Sequence, residues 1–270
     1  MNDNPLGKNT SYPDIYSPDL LFGIDRKDSR DQYMENKTIV FHGKDIWNAW
    51  EFSWLDDLGR PLIGKLSLTF SSASEKIVES KSLKLYLNSF SNNQYQSISE
   101  VINIIKRDLS QLTKNDVTAT FTANDDEGKN QITSEEGHSI DQEDADFSHS
   151  KIRTDALSVD NNIETKEVLY SEILRTNCPV TNQPDTGTII VKYNGKKIHR
   201  GGLLSYICSY RGHNDFHEAC VEKIFLDIKK LCQPDQLTVY ARYNRRGGID
   251  INPFRSDFEN NPKNNRLWRQ

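Results

Sequence analysis

Two short stretches decide how this chain is read: LKLYLNSF at residues 83–90 and LLSYICSY at residues 203–210, 120 positions apart. At the same offset Val101 matches Val221, Ile104 matches Ile224 and Thr118 matches Thr238. Each stretch is a short apolar segment followed by a polar break, a longer amphipathic helix and a strand. A fixed internal period of this kind calls for a repeated unit before any single-domain reading is accepted.

The longer helix of each half is well marked. In the first half it opens at Ser97 or Ser99, where Ser97-x-x-Glu100 has capping-box spacing, and Ile98, Val101, Ile102, Ile105 and Leu109 line one helical face. In the second, Asn214 and Asp215 are the expected caps, Glu218 would then be the third helical residue, and Gln233-Pro234 marks the end. The segments LIGKLSLTF (62–70) and DVTATF (116–121) read as strands of the first half. EVLYSEILRT (167–176), TIIVKY (188–193), QLTVYARY (236–243) and IDINPF (249–254) read as strands of the second. Strands grouped around paired helices predict an α+β fold, made twice.

Between the halves the composition changes. NDDEGKNQITSEEGHSIDQEDADFSHS is acidic, aperiodic and poor in large apolar residues, so its burial does not offset its ordering entropy. The expected organisation is therefore 1–122 as an N-terminal domain, 123–165 as an acidic linker or insert, and 166–270 as a C-terminal domain.

At 270 residues the chain is long enough for a sizeable core, and its formal net charge of −5 argues against direct nucleic-acid binding, which normally shows a basic excess. The polar, turn-rich start lacks the features of a secretory signal, and no apolar run reaches the roughly 18 residues that span a bilayer. A soluble cytoplasmic protein is expected. No G-x-G-x-x-G follows a strand, no P-loop is present, and the six histidines form no HxH or HExxH cluster. Neither a Rossmann site nor a metal centre is indicated.

Of the four cysteines, Cys208, Cys220 and Cys232 sit in apolar patterns and read as small core hydrophobes. Cys178 does not. It lies in TNCPVTNQPD (176–185), where Pro179 restricts it to extended conformations and Asp185 follows the turn-like Gln183-Pro184. A carboxylate near a thiol can take its proton and return it to a developing anion. A structural loop cysteine and a nucleophile both remain open on these residues. The same holds for three further motifs. Phe216-His217-Glu218 opens a helix, where Glu218 serves either a pocket or the helix dipole. Lys81 and Lys84, among serines after Val78-Glu79-Ser80, form either a phosphate site or a solvated turn. Arg245-Arg246 before Gly247-Gly248 form either an anion site or a basic hairpin.

Taken together, the E-S-K-S-L-K-L-Y run at 79–86, Cys178 with Asp185, Phe216-His217-Glu218 and the R-G-G-I-D-I-N-P run at 246–253 resemble one family. It is the long, tandem-domain form of the NADPH-dependent 7-cyano-7-deazaguanine reductases, the nitrile reductases of queuosine biosynthesis and so of tRNA modification. The resemblance covers both halves in order. The acidic segment departs from it as an enlarged linker. It implies two tandem tunnelling-fold (T-fold) domains, each an antiparallel sheet with paired helices on one face, and a homodimer with sites where domains meet.

It also implies a chemistry. Cys178 adds to the nitrile carbon as a covalent thioimide, Asp185 delivers the proton to nitrogen, and two NADPH equivalents reduce the adduct in turn, with His217 assisting proton transfer. Val78, Glu79, Ser80, Phe216, His217 and Glu218 are then substrate-binding, the two glutamates accepting from the guanine-like N1–H and amino group. Ser80, Lys81, Arg246 and Gly247 are cofactor-binding, and no metal is implied. A zinc-dependent pterin or GTP-cyclohydrolase-like enzyme on the same fold, and a non-catalytic purine-binding protein, are the competing readings.

Overall fold

The computed structural model describes residue 13 and residues 15–34, 39–124, 131–147 and 151–270. The polar start of the chain and the pieces 125–130 and 148–150 of the acidic run lie outside the described residues. The fold is α+β and divides into two compact units. The first takes the described residues of Met1–Lys37, Asp45–Gln131 and Arg245–Asp250, the second those of Thr38–Lys44, Ile132–Asn244 and Ile251–Gln270.

In chain order the first unit contributes β1 (Gly23–Asp25), α1 (Arg26–Tyr33), most of β2 (His42–Leu55), β3 (Pro61–Ser71), β4 (Lys76–Val78), α2 (Ser80–Asn88), α3 (Ile98–Thr113) and β5 (Thr118–Ala123). Its main strands run in the order β5-β3-β2, and β1 pairs antiparallel with β4. The second unit contributes β6 (His138–Ser139), β7 (Val159–Asn177), β8 (Pro184–Ile198), α4 (Arg200–Cys208), α5 (His217–Cys232), β9 (Gln236–Tyr243) and most of β10 (Ile249–Ser256). Its strands run β10-β9-β8-β7-β6, antiparallel except for the short parallel pairing of β6 with β7.

Alternation in the strands places the core of the second unit. Ile189, Val191 and Tyr193 of β8 and Leu237, Val239, Ala241 and Tyr243 of β9 share one apolar cluster with α4 and α5. Ile190 and Tyr240, one residue out of phase, face the other way towards Phe254. Both helices therefore cover one face of this sheet. Burying each such side chain contributes about 1.5–3 kcal/mol.

The repeat seen in the sequence is real at the level of side chains. α2 and α4 begin 120 residues apart, at Ser80 and Arg200. Both are capped by a side chain: Glu79 accepts from the Lys81 and Ser82 N–H groups, and His199 from that of Gly202. In each unit a buried tyrosine of the first helix donates to an aspartate of the second, Tyr86 to Asp108 (2.7 Å) and Tyr206 to Asp227 (2.6 Å). The second helices, α3 and α5, begin 119 residues apart and both end on a left-handed residue, Lys114 or Gln233. One residue is thus lost between the helices of the second copy. The match of Val101 with Val221 and of Ile104 with Ile224 is corrected by one position: Val101 corresponds to Cys220 and Ile105 to Ile224.

The domain boundaries also differ from 1–122, 123–165 and 166–270. Residues 132–147 of the acidic segment belong to the second unit. Ile140 is fully buried in its core, and Asp141 accepts from the Ser171 hydroxyl (2.6 Å) and the Glu172 N–H (2.9 Å). One apolar residue and one carboxylate, docked beside the β6–β7 pairing, hold a stretch whose average composition reads as a free linker.

Candidate active site

The turn between β7 and β8 carries Cys178. Thr176 pairs with Asp185 and Asn177 with Pro184, so Asp185 sits within β8, opposite Thr176 of β7. The six connecting residues close on themselves: the Cys178 N–H donates to the Gln183 carbonyl (2.9 Å) and the Asn182 N–H to the Cys178 carbonyl (3.1 Å). Asn182 takes a left-handed conformation (φ 54°), which asparagine tolerates better than most residues. The segment before α5 is laced to this turn by the Asn177 N–H to the His213 carbonyl (2.8 Å), the Asp215 N–H to the Asn177 carbonyl (3.2 Å), and the Asn214 amide to Asn182 (2.9 Å). That lacing brings the start of α5 to the hairpin.

Cys178 is only 5% exposed, yet it stands outside the apolar cluster that holds the other three cysteines. Burial pushes the thiols of Cys208, Cys220 and Cys232 up, that of Cys232 to about 11. Such thiols are poor nucleophiles near neutral pH, and their structural reading stands.

At the helix start the structure corrects one expectation. Neither Asn214 nor Asp215 caps α5; Phe216 occupies that position, and the Asp215 carboxylate accepts from the Phe216 N–H (2.8 Å). His217 and Glu218 are consequently the first and second helical residues. Glu218 is buried rather than solvated in the first turn. The His217 Nε2 lies 3.4 Å from Asp185 Oδ2, with both side chains nearly buried. The imidazole stacks on the Tyr243 ring at 3.9 Å between centroids, tilted by 31°. Tyr243 ends β9 opposite Gly187, where an added Cβ would meet the ring at 3.2 Å, so the small residue makes room for the large one.

The remaining expected site residues belong to the first unit. Val78 ends β4, Glu79 caps α2, and Ser80 and Lys81 are its first two residues. The Glu79 oxygens each take one backbone N–H, from Lys81 and Ser82, both at 2.8 Å. A carboxylate oxygen has two acceptor directions, so this cap leaves capacity for further donors. The Arg246-Gly247 turn is closed by the Arg246 N–H to the Ile249 carbonyl (2.9 Å), with φ of 62° at Gly247 and 81° at Gly248. A Cβ on Gly247 would lie 3.2 Å from the Lys84 side chain, and a cavity of about 240 Å³ is lined there by Glu51, Ser53, Lys84, Asn88, Gly247 and Gly248. A glycine turn held open beside a lysine of α2 suits a phosphate-bearing cofactor.

Two family models match the chain. One, described as nitrile reductase, 7-cyano-7-deazaguanine-reductase N-term, covers residues 12–121; the other, described as QueF-like protein, covers residues 184–262. Proteins named NADPH-dependent 7-cyano-7-deazaguanine reductase match almost end to end. The one from Desulfotalea psychrophila is 44% identical over 98% of this chain and 97% of its own length. Those from Paraburkholderia phymatum and Hydrogenovibrio crunogenus are 45% and 43% identical, covering 99% and 98% of this chain and 98% and 96% of their own. The chain belongs to the 7-cyano-7-deazaguanine reductase family. Residues 78–81 fall within the first family model, and Asp185, residues 216–218, Arg246 and Gly247 within the second. Cys178 falls between the two models, inside the near-full-length matches to members of the reductase family.

Tyr243 escaped the sequence reading because a buried aromatic in an alternating strand is indistinguishable from core. The only sequence signal is a glycine at 187 beside the large and β-branched run TIIVKY (188–193), and it acquires meaning only once the β8–β9 register is known.

Proposed function

We propose that this chain reduces the nitrile of 7-cyano-7-deazaguanine to the aminomethyl compound with two equivalents of NADPH, in the cytoplasm, as a step of queuosine biosynthesis. The observation that carries this reading is the Asp185–His217 pair, 3.4 Å apart and nearly buried, held by the hairpin whose turn bears Cys178. Two tandem tunnelling-fold domains and a homodimer, with a small 7-deazapurine and no nucleic acid or membrane as partner, complete the proposal. The repeated helix pair, with its two tyrosine–aspartate bridges, supports the tandem reading.

Asp185 takes the Sγ proton as the sulfur adds to the electrophilic nitrile carbon. A C–S bond forms, one C–N π bond breaks, and the proton passes from Asp185 to nitrogen, leaving a thioimide on Cys178. NADPH, when bound by Ser80, Lys81, Arg246 and Gly247, supplies hydride to that carbon twice. Between the two reductions the C–S bond breaks and Cys178 is restored. His217, aimed at Asp185, supplies protons to nitrogen during the reductions, which suits an imidazole at neutral pH. Glu218 and Glu79 accept from the ring N1–H and the amino group, and Phe216 stacks on the ring. Losing one such buried contact costs about 1–3 kcal/mol.

The test is an intact mass after mixing the protein with the nitrile in the absence of NADPH. A covalent adduct of one substrate mass is expected, absent from Cys178→Ala. An adduct that survives the substitution removes Cys178 as the nucleophile.

A further inference from the structure

Tyr243 has no task in the scheme above, yet His217 is set against it. Its side chain is 0% exposed. It is gripped on several sides within the second unit: Gly187 lies opposite it in β8, and its carbonyl accepts from the Gln270 side-chain amide (3.2 Å). The preceding Arg242 is fixed in turn by the Gln270 side-chain oxygen (2.7 Å) and the Lys263 carbonyl (3.2 Å). A ring framed in this way presents a rigid flat face. The second side-chain torsion of histidine is broad, so the ring's orientation has to be set by what packs against it. His217 is the first residue of α5, so no preceding helical turn confines it. In the stacked orientation, at 3.9 Å between centroids, Nε2 lies 3.4 Å from Asp185 Oδ2 without a formed hydrogen bond.

The phenol oxygen plays no comparable part. It stands beside the Thr176 hydroxyl, and neither oxygen makes a well-formed hydrogen bond.

We propose that Tyr243 is the positioning residue for His217: its ring holds the imidazole so that Asp185 and His217 act as one proton-transfer unit during reduction. The proposal rests on the reductase reading and adds to it a residue remote in sequence from every motif.

Full-length Tyr243→Phe and Tyr243→Leu test it, with two readouts. The first is the NMR spectrum of the His217 imidazole, assigned by its loss in His217→Asn. Ring-current upfield shifts are expected in the wild type and in Tyr243→Phe and are lost in Tyr243→Leu. The second compares adduct formation on Cys178 with NADPH turnover. Tyr243→Phe keeps both within about twofold. Tyr243→Leu keeps adduct formation but loses kcat by ~tenfold or more at little changed KM, a fraction of what a general acid contributes. A fully active Tyr243→Leu, a Tyr243→Phe that falls as far as Tyr243→Leu, or unshifted His217 resonances in the wild type would each overturn the proposal. If Tyr243→Leu does not fold, the wild-type and Tyr243→Phe spectra and rates still decide. A wild type that forms no adduct sinks the reductase reading instead, while the resonances continue to report the stack.

Discussion

At the scale of single residues, the proposed mechanism divides the site into groups that react and groups that aim, and assigns Asp185 to the first kind. It is buried, fixed in β8 opposite Thr176, and within 3.4 Å of the only imidazole that opens α5. Asp185→Asn keeps the shape and the strand register but removes the base. NADPH consumption is expected to fall by about 10²–10⁴-fold with the melting temperature nearly unchanged. Unchanged turnover would take Asp185 out of the chemistry. Cys178 stood out in the sequence because a thiol among turn residues lacks the apolar company of the other three, but those residues alone left a loop cysteine and a nucleophile both open, and its role and that of Asp185 came from the family resemblance. The aiming residue did not stand out. Tyr243 lies 26 positions from His217 and acquires its role only through the β8–β9 pairing, which no local pattern in QLTVYARY encodes. The position of Glu218 was misjudged for a different reason. Asn and Asp are the usual caps, yet the backbone turns into the helix at Phe216, one residue later than Asp215.

At the scale of elements, capping chemistry marked the start of α3 and the end of α5, though not the start of α5. Ser97 caps α3 and accepts from the Glu100 N–H (3.3 Å), while Gln233 ends α5 in the left-handed region. What composition hid was the polar bridge inside each helix pair, since a tyrosine and an aspartate 21 or 22 residues apart look unrelated. The bridge of the second unit has a measurable consequence. Burial pushes the Asp227 carboxyl above the usual carboxylate range, although the Tyr206 hydroxyl and the Lys223 and Lys230 charges oppose it. A raised folded-state pKa means that the contribution of this group to stability is fully present below its unfolded value, near 4, and is lost as pH rises through the folded value. At neutral pH the ionised side chain therefore works against folding. Asp227→Asn retains an oxygen to accept the Tyr206 proton and removes that cost. The variant is expected to be more stable than the wild type at pH 7, with the gap closing as pH falls towards 4. Urea titrations at the two pH values measure it, and a variant less stable at pH 7 would refute the assignment.

At the scale of the whole molecule, the repeat and the α+β class follow from patterns that both halves share, whereas the place of the acidic segment does not. Its mean composition describes a solvated chain, but stability is decided by individual burial events, and Ile140 is one of them. It sits fully buried against the sheet and helices of the second unit, with its N–H donated to the Tyr170 carbonyl (2.9 Å) and Asp141 beside it holding the Ser171–Glu172 bulge of β7. His138 and Arg200 (3.0 Å) and the Arg200–Glu167 ion pair (2.7 Å) extend the same seam at the surface. If the segment were a tether, shortening Ile140 would change nothing. If it is part of the core, Ile140→Ala removes buried methyl and methylene groups and leaves a cavity, at a cost of about 2–5 kcal/mol. Loss of that anchor also frees residues 131–147 to open locally ahead of global unfolding. Ile140→Ala should therefore lower the urea midpoint and accelerate proteolytic cleavage within 131–147, while Ile132→Ala, at an exposed side chain of the same segment, leaves both unchanged. Equal behaviour of the two variants would return the segment to the status of a linker.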